Sequence, residues 1–159
     1  FLYQKRALSQ PMFYLSEYLE NHREGYYQRL KAISADGDWN GWLVFFLQAI
    51  AIQATQNSER VTAIQALYEE MKLAIQAATR SQYTVHVLDA IFNKPIFRSS
   101  DLAQQLFREF GIHEKTGQGL LRQMRDTGIL RELRPGSGRR PSTLCFPRLI
   151  NLAEGRTVI

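Results

Sequence analysis

Between Trp39 and Ala78 apolar residues recur at helical spacing, and 40 residues rising about 1.5 Å each would make one helix roughly 60 Å long. Asp36-Gly37-Asp38 ends the helix before it, and Asp38 is placed to cap the long one. Asn57-Ser58 is the expected break or kink. Trp39, Trp42, Phe45 and Phe46 cluster so densely that burial on more than one side is expected, against partners that the first half does not fully supply. Upstream, Pro11 fits a first helical turn, and Met12, Phe13, Leu15, Tyr18 and Leu19 give an apolar stripe. Asn21 with Glu24 three residues on reads as a cap that restarts the helix through Tyr27, Leu30 and Ile33.

Charge divides the chain. Residues 1–80 hold eight Lys/Arg and eight Asp/Glu, whereas residues 81–159 hold twelve against seven, so the whole excess of +5 sits in the second half. Such a half favours a polyanionic partner, because Lys and Arg facing phosphates release condensed counterions. Apolar periodicity pauses at Thr79-Arg80-Ser81-Gln82, which places a boundary there. The expected organisation is a helical bundle over residues 1–80, a second domain over 83–147 and a tail over 148–159.

At 159 residues, 45% apolar and 22% charged, the composition is that of ordinary globular domains. No apolar run approaches the ~20 residues that span a bilayer, so a cytoplasmic protein without a membrane partner is expected. A single cysteine, Cys145, excludes an internal disulfide, and His22, His86 and His113 show no metal-ligand spacing. Cys145, between Leu144 and Phe146, reads as a small strand residue rather than a nucleophile. The chain opens on Phe1 within an apolar Phe1-Leu2-Tyr3 cluster, from which a start partway through a larger protein is expected.

In the second half, Tyr83 to Asn93 forms a helix with Val87, Leu88, Ile91 and Phe92 inside, stopped by Lys94-Pro95. Ile96-Phe97 is extended. Ser99 or Ser100 caps a helix over Asp101 to Phe110 that buries Leu102, Ala103, Leu106 and Phe107. Gly111-Ile112-His113 is a turn of helix-turn-helix length, and Glu114 to Thr127 is a third helix with Leu120, Leu121 and Met124 inward, closed by Gly128. A strand over Ile129-Leu133, a loop over Arg134-Ser142 and a returning strand over Thr143-Phe146 follow. Over residues 83–147 this order resembles the winged-helix family, which makes the expected fold mainly α with a small β-hairpin wing.

A helix that enters a major groove needs donors opposite its core face, and Lys115, Gln118, Arg122 and Gln123 lie near that face, with Arg125 on its flank and Thr116 near the start. Arg134, Arg139 and Arg140, around flexible Gly136-Ser137-Gly138, are placed to reach phosphates or a minor groove. Gly117 serves close helix packing, whereas Gly119 has no evident use. DNA is the expected partner of this half. Surface arginines are also commonly only solvated, and winged helices serve as protein-docking or dimerisation modules, so a target protein or a second copy of the chain is the alternative partner.

The first half carries a second resemblance. Pro11-Met12-Phe13-Tyr14-Leu15-Ser16-Glu17-Tyr18-Leu19, Asn21-His22-Arg23-Glu24-Gly25-Tyr26-Tyr27 and Gly37-Asp38-Trp39-Asn40-Gly41-Trp42 are similar, in order and spacing, to the segment after the catalytic loop of Fic-domain proteins. The resemblance implies a parent enzyme that transfers AMP from ATP to a protein hydroxyl, with magnesium, by a His-Pro-Phe-x-x-Gly-Asn-Gly-Arg loop. No histidine of this chain starts that sequence, so the chain by itself is expected to lack catalysis, and the Fic core is expected upstream of Phe1. The resemblance also implies that Tyr27 and Ser34 lie beside the adenine, although Ser34 departs from the Asn or Arg usual there. The competing reading makes Tyr26 and Tyr27 core-edge residues with wet hydroxyls. A free-standing winged-helix transcription regulator, with a helical half for dimerisation or ligand sensing, is the alternative for the whole chain.

Overall fold

The computed structural model describes residues 15–138 and 140–159. Readings that fall on Pro11, Met12, Phe13 and Arg139 lie outside the described residues. The elements in chain order are α1 (Leu15–Asn21), α2 (Arg23–Asp36), α3 (Trp39–Thr79), α4 (Thr84–Asn93), β1 (Ile96–Arg98), α5 (Ser99–Phe110), α6 (Glu114–Asp126), β2 (Arg131–Arg134), β3 (Thr143–Cys145) and α7 (Pro147–Glu154). The chain is mainly helical, with an antiparallel three-stranded sheet ordered β1-β3-β2 among the described residues. It divides into two compact units at Glu59/Arg60, inside α3. Asn57 and Ser58 are helical, so the expected break is absent.

In the first unit, Gly37 ends α2 at φ +66°, the left-handed geometry that glycine adopts without steric cost. Asp38 then accepts the Gly41 amide at 2.8 Å and caps α3 as expected. Its second oxygen faces Arg29 at 3.7 Å, and a Cβ on Gly41 would run into both side chains. Asn21 and Glu24 do not form the expected cap. His22 holds the N-cap position without a side-chain cap bond, its ring stacked on Tyr18 at 4.0 Å. Tyr26 meets Trp42 at 5.6 Å and Tyr18 meets Phe45 at 6.0 Å. Trp42, Phe45 and Phe46 are half-buried, and Trp39 is 61% exposed, which corrects the expectation of burial on several sides. Density of aromatics along a helix sets its apolar area, not the number of faces that neighbours cover.

The second unit has the larger core. Leu67, Met71 and Ile75 from α3 pack with Val87, Leu88 and Ile91 from α4, with Leu102 and Leu106 from α5, and with Leu120, Leu121 and Met124 from α6. Thus the pause at residues 79–82 marks a helix end, with Arg80 at φ +49°, rather than the edge of this core. Phe107, expected inside, is 50% exposed. The strand expected at Ile129 starts at Arg131, because the Leu130 amide still bonds back to the Met124 carbonyl at 3.0 Å. Cys145 is fully buried in β3, and burial pushes its thiol pKa up, which makes it a poor nucleophile. Residues past 147, unassigned from sequence, form α7, whose Leu149 joins the core. Arg148 from α7 grips Glu70 of α3 through two bonds of 2.6 and 2.7 Å.

Tyr68 of α3 donates its hydroxyl to Asp89 of α4 at 2.6 Å, and that bond pushes the phenol from 10.0 up to about 12. Because the folded value is raised, the contribution to stability is whole below about pH 10 and disappears as pH rises through about 12. Tyr68→Phe should therefore flatten the alkaline limb of the stability profile and remove a tyrosinate that forms near pH 12 from the absorbance titration. An unchanged limb would show that the Asp89 bond does not persist in solution.

Candidate functional site

Helix α6 owes its placement to its two ends and one glycine. Gly111 ends α5 at φ +68°, and Ile112 drops into the core. His113, given no role from sequence, caps α6: its ring nitrogen Nδ1 accepts the Lys115 amide at 3.2 Å. At the far end Thr127 holds the C-cap position, and Gly128 follows at φ +78° with its amide on the Arg125 carbonyl at 2.9 Å. A Cβ on Gly117 would lie 3.4 Å from the Ala103 Cα, so this glycine lets α5 and α6 approach closely, as expected.

At 3.6 residues per turn, side chains seven apart share a row, and the expected contact residues of α6 fall into three rows. Lys115 and Arg122 head the outward row. Gln118 and Arg125 lie on the side toward β3, and Thr116 and Gln123 lie on the opposite flank. Lys115, Thr116, Gln118, Arg122 and Gln123 are exposed, while Arg125 is half-buried. The Arg125 guanidinium gives Nε and Nη2 to Asp126 Oδ1 at 3.1 and 2.8 Å, and that pairing raises its pKa. Arg122 makes no ion pair among the described residues, so its charge is free for a partner.

Gln118, Arg122 and Arg125 open onto a shallow depression of about 130 Å³ that Ser99, Ser142, Leu121 and Leu144 also line. No sequence pattern marks these two serines as contacts, and neither Ser99 nor Ser100 caps α5 as expected. Arg98 holds the cap position without a side-chain cap bond, and the Ser100 hydroxyl donates to Asp101 at 2.9 Å. Instead the Ser99 amide donates to the Ser142 carbonyl at 3.0 Å, and the Ser142 hydroxyl donates to that of Ser99 at 3.2 Å. This pairing continues the β1-β3 register, in which Arg98 faces Thr143. No local pattern reveals it, since the partners stand 43 positions apart.

Arg134 ends β2 and Arg140 lies in the loop that leads to β3, both exposed. Ser137 and Arg140 exchange backbone bonds of 3.0 and 2.9 Å, which pinch the expected flexible segment into a tight turn. A Cβ on Gly136 would sit 3.2 Å from the Arg140 carbonyl oxygen, so a larger residue there would push the pinched strands apart. Between Glu132 and Arg134 the pairing shifts register, and Leu133 bulges out.

In the first unit, Tyr27 and Ser34 share one row of α2, both exposed. Tyr27 lies 5.5 Å from Tyr26, with the Arg23 guanidinium 5.7 Å above its ring. The Ser34 hydroxyl donates to its own helix at Leu30, 3.4 Å away.

Gly119 sits in mid-helix on the outward arc beside Lys115 and Arg122, and nothing lies within 4 Å of where its Cβ would be. Its backbone needs no positive φ. The fold gains nothing from it, so Gly119→Ala should stabilise the second unit by about 1 kcal/mol, read as a higher urea midpoint at unchanged slope.

No helix among the described residues is long and apolar enough to cross a membrane, and no group of three or more His, Cys, Asp or Glu could hold a metal ion. No family model matches the chain.

Proposed function

We propose that residues Arg60–Ile159 are a DNA-binding module of winged-helix type, with α6 entering the major groove and the β2-β3 loop reaching the flanking backbone. The observation that carries the reading is the exposed face of α6, where Lys115, Gln118 and Arg122 stand outward on a helix rigidly seated by Gly117 and the core. Charge agrees with it. Moving the boundary to Arg60 leaves fifteen Lys/Arg against nine Asp/Glu in this unit, a net +6, and five against six in residues 1–59, a net −1. In this arrangement Lys115 and Gln123 reach base edges, and Arg122, Arg134 and Arg140 hold phosphates and set the register.

Titration of the full chain with duplex DNA across a range of salt tests the reading. Affinity should fall steeply with salt, and Arg122→Ala combined with Arg140→Ala should lower the logarithmic slope by roughly two. Affinity that ignores salt, or that the double variant leaves unchanged, would reject DNA binding and favour a protein-docking module. Gly119→Ala should weaken the duplex complex while it stabilises the fold, because a methyl group would stand where a base edge approaches the helix.

For the first half we carry forward the Fic-type reading as a proposal: trailing helices of a fold whose complete form transfers AMP from ATP with magnesium to a protein hydroxyl. The segments at residues 21–27 and 37–42 and the helical order α1, α2, α3 support it, and Tyr27 with Ser34 would flank the adenine. By this reading the chain, lacking the loop, incorporates no label from ATP and magnesium. Robust self-labelling would overturn it.

A further inference from the structure

We propose that the depression between α6, Ser99 and Ser142 seats one phosphate of the nucleic-acid backbone, an inference that rests on the DNA-binding reading above. The chemistry of its wall is that of an oxyanion site. Arg122 brings an unpaired guanidinium. Arg125 has five N–H groups, of which Asp126 occupies two, so three are left for a second acceptor. Ser99 accepts from the Ser142 hydroxyl and so keeps its own proton to donate. Gln118 adds an amide donor.

Two leucines back the depression. Leu121 and Leu144 are buried, and a charge-assisted bond made against such a surface competes with less water than one made on an open face. The size suits the ligand: a single tetrahedral oxyanion fits within about 130 Å³. The serines are fixed by backbone, since the Ser99 amide is tied to the Ser142 carbonyl at 3.0 Å, so the donors are in place before the ligand arrives. The outward row of α6 borders the depression through Arg122, so a duplex lying on Lys115 and Arg122 presents its nearer strand there. Bases read by α6 and a phosphate held at Ser99 and Ser142 would fix one rotational setting of the helix in the groove.

Two titrations of the full chain test the seat. In the first, inorganic phosphate is added while backbone amide resonances are followed. Saturable shifts should concentrate at Ser99, Gln118, Arg122 and Ser142. Ser99→Ala with Ser142→Ala should weaken them about tenfold, as expected for lost bonds to a charged group, without changing the circular dichroism spectrum. In the second, duplex DNA is added to the phosphate-loaded chain and should displace the phosphate. Shifts that never saturate, or that gather at Arg134 and Arg140, would overturn the seat while leaving salt-dependent duplex binding, and the module reading, intact. Saturable phosphate that a bound duplex fails to displace would overturn it as a backbone seat and identify a site for free phosphate instead.

Discussion

A chain cut to residues 60–159 should unfold in one cooperative transition, whereas a chain cut to residues 81–159 should hold no stable native fold. The difference lies in α3. Leu67, Met71 and Ile75 are each at least 95% buried and belong to the same core as α4, α5 and α6. Burial of such a side chain contributes about 1.5–3 kcal/mol, so three of them amount to roughly 5–9 kcal/mol. Small domains have a total stability of about 5–15 kcal/mol. The shorter cut also removes the Tyr68 bond to Asp89 and the Glu70 grip on Arg148. Urea denaturation followed by circular dichroism reads the outcome. Equal midpoints and slopes for both cuts would mean that α3 is an appendage to this core rather than a layer of it.

That boundary shows where sequence reasoning stops. Hydrophobic period located the helices of the second unit well: Val87, Leu88 and Ile91, then Leu102 and Leu106, then Leu120, Leu121 and Met124 are all buried. Period reports which residues share a stripe, because that is a local property of the backbone. How wide a stripe is covered, and by what, is decided by partners far away in sequence. So Trp39 and Phe107 carry the right spacing and remain exposed, and the pause at residues 79–82 ends a helix without ending a core.

The candidate site divides in the same way. Lys115, Gln118 and Arg122 could be placed on one outward face from their spacing alone. Ser99 and Ser142 could not, since their pairing needs the β1-β3 register, and a three-residue strand such as Ile96–Arg98 carries too little pattern to announce a register. His113 was passed over for a different reason. It lies outside the residues usually read as caps, yet its ring nitrogen Nδ1 accepts an amide as a serine oxygen would.

Two phenylalanines that look alike in sequence should behave oppositely when shortened. Phe146→Ala is expected to cost about 3–5 kcal/mol, and Phe107→Ala well under half of that. Phe146 is 1% exposed, its ring 5.6 Å from that of Phe92, and it leads from β3 into Pro147 at the start of α7. Its amide donates to the Pro95 carbonyl at 2.9 Å, so the backbone on both sides is held and the surroundings are poorly able to collapse into the space left behind. That restraint places the loss at the upper end of the range, because the cost of a large-to-small change grows with the cavity that persists. Phe107, on α5, is 50% exposed, and its loss mainly removes area already in water. Phe107 does not line the depression beside α6, so Phe107→Ala should leave duplex affinity unchanged. A midpoint shift for Phe107→Ala equal to that of Phe146→Ala would mean that solution packing covers the exposed face of α5. The burial expected there from periodicity would then hold after all.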